Sequence, residues 1–204
     1  GHGAFAKVGD SLNWEGGVFA LQQDNYFPVH VGGLAALELQ GQSHFIPMGK
    51  KQLQLFNTND PNPKRRLPKW FVNYFSDIDI YFHRNLLFLT SLGVEAFNCH
   101  NFEIMISSPE RAVLEMLSLV PGNMSLDHAF LLIKNKYNLR FELLQDLLEN
   151  CTIQQTKRLF LYLAKRCDLP CFSKLNITPL NLGSGKRKIG AGGNYDPEFK
   201  LDLP

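Results

Sequence analysis

Asp77 and Asp79 stand one residue apart in the run Ser76-Asp77-Ile78-Asp79-Ile80, and on an extended strand both carboxylates face the same side. Such a pair can hold Mg²⁺ for phosphoryl transfer, with Glu103 on a later strand as a third carboxylate. The pattern looks like the acidic half of a nucleotidyltransferase site. The other half is a Gly-Ser turn shortly upstream that grips the nucleotide phosphates, and Lys69-Trp70-Phe71-Val72-Asn73 stands there instead. A metal-dependent nucleotidyltransferase is the rival reading, and polar residues on a strand edge the plainer one. Gly183-Ser184-Gly185-Lys186 is close to a phosphate loop, but that loop needs a Gly at position 180 and Ser or Thr at 187, where the chain has Leu180 and Arg187. A tight turn presenting two cations fits better.

Cations also cluster at Lys64-Arg65-Arg66, Lys157-Arg158, Lys165-Arg166 and Lys186-Arg187-Lys188. Runs of this kind can neutralise phosphates. The net charge of +2 hides an uneven spread: residues 1–63 carry three basic and five acidic groups, residues 64–204 eighteen and fourteen. Cys99, Cys151, Cys167 and Cys171 form no C-x-x-C pair, which points to reduced, buried or half-buried thiols and away from zinc. The six His show no metal-ligand spacing, and His30 reads as a satisfied core or turn residue. Nothing here calls for a cofactor.

The elements that must position these residues follow from pattern. Strand-like pieces are expected at residues 4–8 and 17–21, split by Gly9-Asp10 and Gly16-Gly17. Residues 28–31 are extended, and Leu34-Ala35-Ala36-Leu37-Glu38-Leu39 is a short helix stopped at Gly41. Residues 51–56 alternate like a half-buried strand, and residues 57–68 form an exposed, Pro- and Asn-rich loop that carries Lys64-Arg65-Arg66. Further strands are expected at 78–82, 86–89 and 102–106. Then the period changes. Ser108-Pro109-Glu110-Arg111 opens a helix that runs to Pro121-Gly122. Arg111 sits in its first turn, where the dipole disfavours a cation, so it should pair with a carboxylate. Three more helices follow at 125–135, 139–150 and 153–167. Residues 186–189 and 199–203 close the chain as a hairpin.

Strands first and helices after argue α+β: a mixed or antiparallel sheet region, a four-helix block and a C-terminal β-hairpin. The boundaries fall at about 1–106 for a strand-rich lobe, 107–181 for a helical lobe and 182–204 for the hairpin. A 45% hydrophobic, 20% charged composition over 204 residues suits a globular fold and excludes disorder. No stretch is long and apolar enough for a membrane span, and residues 1–20 lack a signal-peptide pattern, so a cytoplasmic protein is expected.

Seven short stretches together resemble the AbiEi-type antitoxins of type IV toxin–antitoxin (abortive infection) systems. They are Gly3-Ala4-Phe5-Ala6-Lys7-Val8-Gly9-Asp10, Trp14-Glu15-Gly16-Gly17, Pro28-Val29-His30-Val31-Gly32-Gly33 and Ala36-Leu37-Glu38-Leu39-Gln40-Gly41. Ser107-Ser108-Pro109-Glu110-Arg111-Ala112, Lys157-Arg158-Leu159-Phe160-Leu161 and Leu182-Gly183-Ser184-Gly185-Lys186-Arg187 complete the set. The resemblance implies a winged helix that binds promoter DNA, followed by a domain that counters a nucleotidyltransferase-like toxin without a stable complex. It implies a regulator, not an enzyme. The chain opens Gly1-His2-Gly3 without Met, and its first residues resemble the exit from the wing. The winged helix is therefore expected to be missing, leaving the C-terminal antitoxin domain. Lys157, Arg158, Lys186 and Arg187, where charge clusters and family-like stretches coincide, are the candidate nucleic-acid- or partner-binding residues.

Overall fold

A computed structural model describes residues 13–23, 27–42, 50–60, 62 and 64–204. The strand expected at residues 4–8 lies outside them. The first element, α1 (Trp14–Gln23), corrects the strand expected at residues 17–21. Trp14, Gly17, Val18 and Leu21 are buried at a spacing of three and four, which is one face of a helix. Gly16-Gly17 had the look of a break, yet Gly17 is where the helix closes on the helix α3 (Lys69–Tyr74) and the Phe75 that follows it. A Cβ there would stand 2.3 Å from Phe75 Cε2 and 2.6 Å from Cζ. Gly17→Ala is thus expected to lower stability by about 1–3 kcal/mol through overpacking. Alanine's better helix propensity, worth about 1 kcal/mol, works in the opposite direction. A urea midpoint at or above the parent's would contradict this packing.

The short helix α2 (Gly33–Leu39) ends as its sequence demands. Gly41 takes φ +65°, its N–H donates to Glu38 O at 3.0 Å, and Gln42 N–H reaches back to Leu37 O at 2.8 Å. Around it lies a five-stranded mixed sheet in the order β3-β2-β1-β5-β4. Its strands are β1 (Val29–Val31), β2 (Gln52–Asn57), β3 (Asp79–His83), β4 (Val94–Cys99) and β5 (Phe102–Ser107). β2 is buried on both faces beyond Gln52, not on one as its alternation implied. Its polar Gln54 is accommodated because Oε1 accepts the Leu34 N–H of α2 at 2.8 Å. β4 escaped the sequence reading because it is an edge strand with mostly solvated side chains. Residues 86–89 are not a strand either. Only Phe88 bridges, to Cys151, and Thr152 ties this loop down through the carbonyls of Leu86 and Leu87.

Next to α3 (Lys69–Tyr74) and beyond the sheet come the four expected helices: α4 (Pro109–Ser118), α5 (Leu126–Ile133), α6 (Phe141–Asn150) and α7 (Gln154–Arg166). Ser108 caps α4 by accepting the Arg111 N–H at 3.4 Å, and Pro109 fills the first helical position. Every residue of α4 from 110 to 117 is buried, so this helix is the axis on which α2, α5, α6 and α7 pack. The chain ends in a small sheet of β6 (Arg187–Lys188), β7 (Asn194–Asp196) and β8 (Leu201–Leu203), ordered β6-β8-β7. The hairpin is β7–β8. The stretch expected to be its other arm, β6, pairs with β8 in parallel on the opposite edge, since Asn194–Asp196 takes the antiparallel place. The architecture is α+β: a mixed sheet, four successive helices, then the small C-terminal sheet.

Candidate functional site

The carboxylates do not meet. Asp77 is exposed in the turn before β3, Asp79 opens β3, and Glu103 is exposed on β5. Two strands, β2 and β1, separate β3 from β5, so these positions lie roughly 14 Å apart across the sheet. Among the described residues no three His, Cys, Asp or Glu are grouped to hold a metal ion. The four thiols are free, and burial pushes each of them up from its ordinary value.

The cations are arranged otherwise. Arg158 projects from α7 into the loop before β6 and is 1% exposed. Its Nε donates to Leu182 O at 2.6 Å and its Nη2 to Gly183 O at 2.7 Å. Nη1 reaches Gly185 O at 2.6 Å and Lys200 O at 3.3 Å. Lys157, its neighbour, is also buried. Lys186 and Arg187 face solvent. The Lys186 ammonium sits 4.3 Å above the Tyr195 ring, and Arg187 Nη2 donates to Gln154 Oε1 at 2.8 Å. The structure therefore gathers Arg158, Lys186 and Arg187 at one end of the molecule, with exposed Lys188 and Lys200 beside them, and removes Lys157 from the surface. The Lys64-Arg65-Arg66 loop belongs to the sheet side, where Arg65 pairs with Asp60 and lies over Phe27. No helix among the described residues is long and apolar enough to cross a membrane.

A second polar cluster bears out the carboxylate partner expected for Arg111 and the satisfied core position expected for His30, and adds Glu115, which the sequence reading did not single out. Glu115, in the middle of α4, accepts from His30 Nε2 at 2.7 Å, Arg111 Nε at 2.8 Å, Ser107 Oγ at 2.6 Å and Gly33 N–H at 3.1 Å. Arg111 adds bonds to the carbonyls of Thr90 and Leu92, and His30 Nδ1 meets Thr58 Oγ1 at 2.8 Å. Burial drives the Glu115 carboxyl up, but His30, Arg111 and the Ser107 hydroxyl outweigh it and hold it at about 2. Burial holds His30 below its ordinary value against the pull of Glu115. A neutral His30 with its proton on Nε2 satisfies both its partners, so the cluster is an ionised Glu115 with Arg111 as its counter-charge. Glu115 and His30 are wholly buried and reach no surface. The cluster joins β1, α2, β5 and α4. The signal for Arg111 and Glu115 was present as opposite charges at i, i+4 inside an apolar run.

Residues 50–204 match a family described as transcriptional regulator, AbiEi antitoxin, type IV TA system. Residues 1–48 match the AbiEi antitoxin N-terminal domain of such regulators. That second match overturns the expectation that the N-terminal domain is absent. That expectation rested on the likeness of the first residues to the exit from a wing. No curated protein matches the sequence. Among solved structures, the crystal structure of RV2827C protein from Mycobacterium tuberculosis superposes with a TM-score of 0.57 at 13% identity, covering 93% of this chain and 67% of that one. At that identity the likeness is one of fold. The chain belongs to the AbiEi antitoxin family of type IV toxin–antitoxin transcriptional regulators and carries residues of both family domains.

Proposed function

We propose that this chain is the antitoxin and autorepressor of a type IV system acting in the cytoplasm. Residues 1–48 contribute to reading promoter DNA, and residues 50–204 counter a nucleotidyltransferase-like toxin without forming a stable complex with it. The observation that supports this reading is the tandem match to both family domains in family order. The basic end of the molecule supplies its contact surface: Lys186 and Arg187 face the phosphate or the partner, and Arg158 acts behind them.

The test is the double charge reversal Lys186→Glu/Arg187→Glu in the whole chain. Both side chains are exposed, so the fold should survive. Promoter affinity should fall about 10–100-fold near 0.1 M salt, and the salt dependence should flatten by about two phosphate contacts. Rescue of growth against the co-expressed toxin should weaken as well. Unchanged DNA affinity together with full rescue would remove these residues from the site.

A further inference from the structure

The loop before β6 has an unusual backbone. The carbonyls of Leu182, Gly183 and Gly185 all accept from the Arg158 guanidinium, and that of Ser184 accepts from Lys200 Nζ at 3.4 Å. In a trans peptide the N–H points opposite to the C=O of the same plane. The cis bond recorded among the described residues is Val120–Pro121, outside this loop. The amides of Ser184, Gly185 and Lys186 share planes with the carbonyls of Gly183, Ser184 and Gly185. They therefore point away from the cations that hold those carbonyls.

None of these three amides has a partner among the described residues. Their neighbours do: Gly183 N–H donates to Asn181 Oδ1 at 3.1 Å and Arg187 N–H to Lys200 O at 3.0 Å. Three consecutive free donors thus sit on an exposed turn beside the Lys186 and Arg187 side chains.

Charge points the same way. Buried guanidinium groups are ordinarily matched by a carboxylate. Arg158 has none among the described residues, only carbonyl dipoles, and the Arg187 charge lies near enough to oppose its own. The nearby acids are engaged elsewhere. Asp196 accepts the Phe199 N–H at 2.7 Å, Glu198 pairs with Lys165 at 2.5 Å, and Asp202 accepts the Gly193 N–H at 2.8 Å. Among the described residues no ion pair joins any of these acids to Arg158, Lys186 or Arg187, so the cations at the turn keep their charge beside the outward donors.

We propose that the turn at residues 184–186 is a phosphate-binding site, in which its free amides and the Lys186 and Arg187 cations take the phosphate oxygens. Arg158 is the positioning residue: it never touches the ligand and, with Lys200 on the Ser184 carbonyl, turns the amides outward by holding the carbonyls in. Position 187 is Arg, so the turn lacks the hydroxyl that would place Mg²⁺ in a nucleotide-hydrolysing loop. The ligand is the oxyanion itself, carried on a DNA strand or free in solution. The inference rests on the phosphate-facing reading of this surface given above and adds the donors, the ligand chemistry and the role of Arg158.

Amide spectra of the ¹⁵N-labelled full chain, titrated first with inorganic phosphate and then with a short DNA duplex, test it. The Ser184, Gly185 and Lys186 amides should move downfield and saturate. Lys186→Ala/Arg187→Ala should weaken phosphate binding about tenfold, and Arg158→Lys should abolish the amide shifts while leaving both outer cations in place. Saturation by duplex at far lower concentration than by phosphate assigns the site to a DNA backbone, and the reverse order to a free phosphate. Unmoved amides, or shifts reproduced by chloride at equal ionic strength, overturn the site. Should the amides stay still while the charge reversal weakens promoter binding, the site falls and the surface reading stands. If the amides respond while the charge reversal changes neither DNA affinity nor rescue, the site stands and the surface reading falls.

Discussion

Glu115→Ala is expected to cost about 3–5 kcal/mol, the range found when one partner of a buried ion pair is removed. Four donors converge on this carboxylate from β1, α2, β5 and α4 itself. Its loss leaves the Arg111 guanidinium, 1% exposed, without a counter-charge, and the His30 and Ser107 donors without an acceptor. Glu115→Gln keeps the shape but sets an NH₂ group against one of those donors, so it too should destabilise. Acid acts on the same cluster. The folded Glu115 holds its proton only near pH 2 against 4.5 ordinarily, so its contribution is full above about 4.5 and lost as pH falls toward 2. His30 titrates below its ordinary 6.5 in the folded chain, so the unfolded chain takes that proton first and stability begins to decline below about 6.5. Urea midpoints at neutral pH, pH 5 and pH 3 measure both effects. A Glu115→Ala loss under about 1 kcal/mol would show that the cluster does not hold these elements together.

Arg158→Met should cost about 3 kcal/mol, with the damage local. One planar guanidinium spans four carbonyls of the loop before β6 and of β8's approach. Charge-assisted bonds of this kind are worth about 1.5–3 kcal/mol each. Carbonyls in an exposed loop regain water when the side chain is lost, so the total falls well short of that sum. Arg158→Lys should rescue little, because a compact ammonium with three donors cannot copy the fork. Hydrogen exchange should accelerate at the Arg187 and Ile189 amides, which bond to Lys200 O and Asp202 O, while the α4 amides keep their protection. Uniform acceleration through α4 would mean that Arg158 supports the whole fold and not this ribbon alone.

Much of the fold was legible because its signals are local. Ser108-Pro109 and Ser125 cap helices by chemistry that needs no tertiary context, and Gly41 stops α2 for the same reason. Where the sequence misled, a distant partner decided. Gly16-Gly17 means a turn until Phe75 is placed against it. β4 has too few buried side chains to announce itself and exists because β5 offers an edge. The candidate site divided similarly. Lys186 and Arg187 read as exposed cations and are exposed. Arg158 looks like the same kind of residue in one dimension, but the carbonyls that bury it come from residues 182–185 and Lys200, in a stretch whose glycines carry no side-chain signal. Asp77 and Asp79 failed as a pair because Asp77 lies in the turn and not on the strand.

The strand β1 carries a consequence for how such regulators diversify. It belongs to the stretch matching the N-terminal domain, yet it runs through the centre of the sheet, antiparallel to β2 and parallel to β5, both from the stretch matching the larger domain. His30 and Gly33 reach across the same boundary to Glu115. The two halves are therefore not interchangeable cassettes. A chimera that grafts the first 48 residues of one relative onto the remainder of another folds only if the graft brings a strand that fits the slot and an imidazole that meets the carboxylate. Recombination at this joint is constrained by the core, so exchanging the first 48 residues as a block carries the cost of refitting the central strand and the Glu115 cluster.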